Sequence, residues 1–244
     1  MELYSFKAPL IKAKVLSRPS KKVKSPYLAD ILIDDKPYIC HTAGLGCSGH
    51  IVPDAIIWVY EKPETNTKST HVVYLIEEHG VLTGCDPLMA NKIAYKLLKN
   101  NMVLPNVKNL LPEFDLNNSR FDFMCKSDEH MAIIEVKSVP LGEDGIAIFP
   151  YRLTNGKQKV HDEPISERAL KHVNELASNT KYYKCVLLFI IQRTDVSKFT
   201  VSKNDLQYYE ACKNAMKAGV IFKAISVKWD TQKCYFEKEL EIVW

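Results

Sequence analysis

The stretch Arg120-Phe121-Asp122-Phe123-Met124-Cys125, then Ser127-Asp128-Glu129-His130, then Met131-Ala132-Ile133-Ile134-Glu135-Val136-Lys137-Ser138, decides how this chain is read. Both flanks are rich in β-branched, aromatic and apolar residues around a polar turn, which predicts a β-hairpin or two neighbouring strands. Side chains alternate faces along a strand. Glu135 and Lys137 therefore share one face with Val136 on the other, and Asp122 points opposite to Phe121 and Phe123. Two carboxylates and a lysine can converge on one point.

Two carboxylates suit a hard divalent cation such as magnesium, which keeps several waters and takes few protein ligands. A cation there acidifies water and offsets charge building on a phosphate, while the ammonium positions the nucleophile. This is phosphodiester hydrolysis chemistry. The same residues also fit a plain half-buried hairpin, with Glu135 and Lys137 as a surface pair and Asp122 bonded to Arg120; an Asp followed by Glu-x-Lys is too short a signal to choose.

At 244 residues the chain fits one large or two modest domains. With 46% hydrophobic and 25% charged residues, the composition is that of a packed globular protein and argues against long disorder. The longest apolar run, Val186 to Ile191, is far too short for a membrane span, and Met1-Glu2-Leu3-Tyr4-Ser5 lacks a signal-peptide pattern. The expectation is an intracellular protein with no membrane partner, cytoplasmic or, in a eukaryote, nuclear. The seven cysteines are scattered without a C-x-x-C pair and read as buried free thiols; Cys40, His41, Cys47 and His50 cluster, but not at zinc-finger spacing.

The net charge of +4 is too small to mark a nucleic-acid binder, yet Lys7, Lys12, Lys14, Arg18, Lys21, Lys22 and Lys24 run without an acidic residue between them. Such a segment attracts polyanions, and it equally fits a solvated strand edge. Short strands are expected over 8–16, 27–34, 37–41, 55–60 and 71–77, with a turn at Asp34-Asp35-Lys36-Pro37, which points to a small antiparallel barrel. The glycine-rich Gly44 to Gly49 has no following lysine or clear helix, so no phosphate-binding loop is read there.

Near Gly80 the pattern changes, dividing the chain into 1–80 and 81–244. Asp86 and Pro87 open a helix carrying Leu88, Ile93, Ala94, Leu97 and Leu98. A loop from Pro140 to about Glu163 precedes a second helix, with Ile165, Ala169, Leu170, Val173, Leu176 and Ala177 on its apolar face and Arg168, Lys171, His172 and Glu175 on the other. That polar face is either solvated or borders the site. Cys185 to Ile191, apolar without alternation, reads as a central strand, and a third helix over 205–218 is closed by Gly219. Strands 220–229 and 234–244 complete an α/β half.

Along nearly its whole length the chain resembles the sugar fermentation stimulation protein A (SfsA) family. The family's Ser-Arg-x-Asp-Phe is met by Ser119-Arg120-Phe121-Asp122-Phe123, and its Glu-Val-Lys-Ser-Val by Glu135 to Val139. Phe149-Pro150, the segment Glu167 to Leu176, Gln192-Arg193 and Ala218-Gly219-Val220 continue the match in order. The family's His-Cys-Pro-Asn-Thr-Gly is reduced here to His41-Thr42-Ala43-Gly44-Leu45-Gly46, and the segment before Glu167, with Lys157, Lys159 and His161, is long.

The resemblance implies an α+β protein, with an OB-like barrel in 1–80 packed on a PD-(D/E)XK nuclease-like α/β domain in 81–244, and association with DNA. It makes Asp122 and Glu135 ligands of Mg2+ or Mn2+, Lys137 the catalytic lysine and Glu113 a further ligand. Nucleic-acid contacts are then expected from Arg18, Lys21, Lys22 and Lys24, with Arg168, Lys171 and His172 bordering the site. Two functions follow as expectations: a metal-dependent nuclease acting on DNA, with RNA or branched DNA also open, or a DNA-binding regulator of sugar metabolism that does not cut.

Overall fold

The structure, a computed structural model, describes residues 1–63, 67–116, 119–151, 153–154, 157–158 and 164–244. Lys159 and His161 lie outside the described residues, and Lys157 is described in its backbone alone. The chain forms two compact units. One comprises Met1–Met89, Gln192–Asp195 and Val227–Glu237; the other Ala90–Ile191, Val196–Ser226 and Lys238–Trp244. No described helix is long and apolar enough to cross a membrane.

The first unit is mostly strand: β1 (Glu2–Ser5), β2 (Ile11–Ser17), β3 (Leu28–Ile33), β4 (Lys36–His41), the short helix α1 (Gly44–Gly49), β5 (Ile56–Glu61), β6 (His71–Glu78) and β7 (Val81–Gly84). β2 shows why these residues form strands: Ala13, Val15 and Ser17 are buried while Lys12, Lys14 and Leu16 are exposed, the two-residue period of a half-covered sheet. Asp34 and Asp35 turn the chain from β3 into β4, both with positive φ, the type I′ geometry that suits strand twist. The sheet runs β4-β3-β2-β5-β6-β7, and a parallel pairing of Cys40–His41 with His71–Val72 joins β4 to β6, closing β2 to β6 into a ring. Val15, Ile31, Ile57, Val59 and Val73 fill it.

The glycine-rich segment differs from its sequence reading. It makes the six-residue helix α1, entered through Gly44 at φ 57, a conformation open to glycine. All seven cysteines are buried and free, as their spacing predicts. Among the described residues no three His, Cys, Asp or Glu side chains form a group that could hold a metal, and His50 of the Cys40/His41/Cys47/His50 cluster bonds Glu78 through Nδ1 at 2.8 Å.

The second unit begins with α2 (Pro87–Lys99), β8 (Val107–Leu116), β9 (Ser119–Ser127), β10 (His130–Val139), β11 (Gly142–Glu143) and β12 (Ile146–Phe149). Then come the paired β13 (Leu153–Thr154) and β14 (Lys157–Gln158), α3 (Glu167–Asn179), β15 (Lys184–Ile191), β16 (Lys198–Val201), α4 (Leu206–Lys217), β17 (Ile221–Trp229), β18 (Lys233–Glu239) and β19 (Glu241–Val243), of which the end of β17 and most of β18 belong to the first unit. β9 and β10 form the expected antiparallel hairpin. β15, buried along almost its whole length, pairs in parallel with β10 on one side and with β17 on the other, as its unbroken apolar run requires.

A smaller sheet, β11-β12-β16-β19, and the edge strand β8 were not legible in sequence. β8 has positive φ at Asn109 and Glu113, a register shift between Lys108 and Leu111, and Pro112, so its alternation is broken. The core lies under α3 and α4, where Ala169, Val173, Leu176, Tyr208 and Cys212 meet Ile133, Leu187 and Phe189. Ser166 caps α3 by accepting from Ala169 N, and Asp205 caps α4 by accepting from Tyr208 N. Gly219, at φ 100, ends α4 as expected.

Candidate functional site

The ladder between β9 and β10 ends at Phe123 and Ile134, so Asp122 and Glu135 are the next positions on the two strands. There Asp122 takes over as the acceptor: its Oδ2 receives Val136 N–H at 2.7 Å. Asn91 of α2 donates through Nδ2 to Asp122 Oδ1, also at 2.7 Å. Both bonds hold the carboxylate in one orientation.

Glu135 is far from a surface residue, being 3% exposed. Its Oε1 accepts from Lys137 Nζ at 2.5 Å, as two side chains on one strand face should, and from His172 Nδ1 on α3. Its Oε2 is buried and accepts no hydrogen bond from the described residues. Arg120 does not pair with Asp122; it bonds Glu113 and lies 4.0 Å from Asp115. The plain surface-hairpin alternative therefore fails for these residues.

The two carboxyls are pushed apart. Burial, then the charge of Glu135, raises Asp122 above the ordinary aspartate value, and its bonds to Val136 and Asn91 do not offset this. Burial also pushes Glu135 up, but the His172 hydrogen bond and the Lys137 charge outweigh it and leave the group below its ordinary value. Glu135 is thus held ionised, and Asp122 is the group whose charge is unfavourable without a further cation. The donor set fits a hard divalent ion: a buried, unsatisfied carboxylate oxygen on Glu135, and oxygens on Asp122 that each carry one hydrogen bond and keep one lone pair. Protein would supply these two carboxylates and water the rest.

The other residues expected near the site divide between it and the surface. Glu113 has a side chain 68% exposed and bonds Arg120, and it joins no metal-holding group with Asp122 and Glu135. The structure does not bring it to the centre. His172, assigned by sequence to the polar face of its helix, is instead buried against Glu135, because 169, 172, 173 and 176 make a single helical stripe. That spacing was the signal available in sequence. Arg168 and Lys171 do lie on the exposed face, with Lys171 beside Glu175 at 3.8 Å. Asn91 was missed altogether; nothing local marks it among the residues of an amphipathic helix.

In the first unit, Lys21, Lys22 and Lys24 are exposed on a loop organised by buried Asp30. Its carboxylate accepts from Ser17 Oγ at 2.8 Å, Ser20 Oγ at 2.6 Å and Lys21 N at 2.8 Å. Arg18 donates to Thr42 Oγ1 and the Pro26 carbonyl. Lys12 and Lys14 pair with Glu77 and Asp54.

Fold and cluster together define a mixed α+β protein, mostly sheet, that carries on a hairpin a centre of buried Glu135 with half-buried Asp122 and Lys137. The chain belongs to the SfsA family: the family model described as "Sugar fermentation stimulation protein RE domain" matches residues 88–233. Proteins described as "Sugar fermentation stimulation protein homolog" are similar over most of their length. The one from Carboxydothermus hydrogenoformans is 28% identical, covering 89% of this chain and 92% of its own. That from Clostridium botulinum is 30% identical, covering 86% and 87%. A solved structure described as "The structure of Pyrococcus Furiosus SfsA in complex with Ca2+" has the same fold, with TM-score 0.83 over 100% of both chains at 21% identity.

Proposed function

We propose that this chain is a divalent-metal-dependent phosphodiester hydrolase of the PD-(D/E)XK kind acting on nucleic acid, DNA first. The observation that carries the reading is the buried, unsatisfied Oε2 of Glu135, with Lys137 bonded to the other oxygen and Asp122 near enough to feel the Glu135 charge. The description of the Pyrococcus relative as a complex with Ca2+ supports binding of a divalent ion by a protein of this fold.

Mg2+ or Mn2+ held by Asp122 and Glu135 would supply an acidified water and charge to set against the phosphate. The chain's residues do the rest. Val136 N–H and Asn91 keep Asp122 in place, and Lys137, anchored by Glu135, presents its ammonium beside the reacting group to orient the nucleophile and offset phosphate charge. The closed ring of β2 to β6 supports reading the first unit as an OB-like barrel, a form that tracks backbones with basic residues. Arg18, Lys21, Lys22 and Lys24 are its phosphate contacts in this reading, joined by Arg168 and Lys171.

The name shared by the relatives favours one second reading, a DNA-binding regulator of sugar metabolism that does not cut. One experiment separates them: the full chain is incubated with single-stranded, double-stranded and branched DNA and with RNA, in Mg2+, Mn2+ or chelator, beside Glu135→Ala and Lys137→Ala. The nuclease reading expects cleavage that needs metal and is abolished by both changes while binding persists. Tight binding with no substrate cut makes the regulator the better account.

A further inference from the structure

Glu135 is a buried carboxylate whose two oxygens differ in their partners, one of which comes from a residue 37 positions away. Oε1 receives Lys137 Nζ and His172 Nδ1 together; Oε2 receives nothing from the described residues. An ionised carboxylate only accepts, so the His172 ring must carry its hydrogen on Nδ1. The ring cannot easily swing away: His172 is 4% exposed, sits in the α3 stripe with Ala169, Val173 and Leu176, and lies against the Phe121 ring at 5.9 Å. Lys137 reaches the same oxygen from two positions along the same strand, with its side chain 11% exposed, so the bond from His172 is the one that ties Glu135 to α3.

We propose that His172 is a positioning residue: by holding Oε1 of Glu135 from a rigid helix it leaves Oε2 as the oxygen open to the cation and makes Glu135 a one-oxygen ligand. This rests on the metal-site reading above. A carboxylate limited to one oxygen suits an ion that keeps most of its water, as Mg2+ and Mn2+ do, rather than one that gathers many protein oxygens. Hydrogen-bond partners behind metal ligands act in this way, orienting the ligand without touching the metal.

The test titrates the metal-free full chain with Mn2+ alone, by calorimetry, and melts each variant in chelator. His172→Leu is expected to weaken Mn2+ binding about 10- to 100-fold, and His172→Asn, whose Nδ2 stands where Nδ1 of the ring stands, to stay within about threefold of wild type. In a Glu135→Ala background His172→Leu should add nothing, since the ligand it positions is gone. Should the leucine variant fail to melt cooperatively, His172→Gln, which sets its donor one bond further out, takes its place with the same expected loss. A lowered melting point with unchanged Mn2+ affinity makes His172 a packing residue and overturns the proposal, as does an asparagine variant that binds as poorly as leucine. If wild type binds no Mn2+, or Glu135→Ala binds it as wild type does, the metal site itself is refuted and the positioning role with it.

Discussion

Asp122→Asn separates the electrostatic penalty of the centre from its cation function. Asp122 holds two hydrogen bonds, and asparagine can keep both: Oδ1 takes Val136 N–H, and the Asn91 amide, turned over, accepts from the new Nδ2. Only the charge is lost. Because Asp122 is raised by burial and by Glu135, its stabilising contribution is full below the ordinary aspartate value and is lost as pH rises through the higher folded value. At pH 7 without metal, the neutral isostere should therefore be at least as stable as wild type. Asp122→Ala is different, since it strands the N–H of buried Val136, at about 1–3 kcal/mol. It should melt about 2–12 °C below the asparagine variant, at about 2–4 °C per kcal/mol for a chain of this size. Mn2+ at about 100 times its Kd then adds about 2.7 kcal/mol to wild type, about 5–11 °C, and little to either variant. Calorimetric melts with chelator or Mn2+ read all three. An asparagine variant that falls as far as alanine in chelator, or gains as much from Mn2+ as wild type, refutes the reasoning.

Asp30→Ala should cost about 2–4 kcal/mol in urea denaturation, because a charged acceptor for Ser17, Ser20 and Lys21 disappears. Burial raises Asp30, but those hydrogen bonds bring it below its ordinary value, so its stabilisation is present above about pH 4 and lost as pH falls through the lower folded value; the alanine variant should lack that acid-linked loss. Changing Lys21, Lys22 and Lys24 together to alanine should flatten the salt dependence of duplex binding by a slope of up to about 2.7, at about 0.9 per phosphate contact; an unchanged slope in a filter-binding series removes the loop from the interface. Glu113→Ala should leave Mn2+ affinity unaltered in the same titration, given its bond to Arg120 and its exposure, and a tenfold loss would return it to the centre.

Much of the scaffold could be read ahead of the structure because it is local. The type I′ turn at Asp34-Asp35, the helix ended by Gly219 and the doubly covered β15 each follow from a few adjacent residues. Strand β8 could not be read, since Asn109 and Glu113 in the left-handed region interrupt the period that identifies a strand. The expected α1 loop failed for a similar reason: six residues rich in glycine carry no periodicity to distinguish a helical turn from a loop.

The sequence by itself determined that Glu135 and Lys137 share a face and that Asp122 closes toward them, because a strand's two-residue alternation and a short hairpin turn are encoded within twenty residues. Only the tertiary structure decided what surrounds them. Asn91 reaches Asp122 across 31 positions and His172 reaches Glu135 across 37, contacts set by which helix face packs on the sheet and not by any local pattern. The same packing made Glu135 a buried anion with one oxygen left unsatisfied, a state that burial and neighbouring donors create and that no residue carries alone.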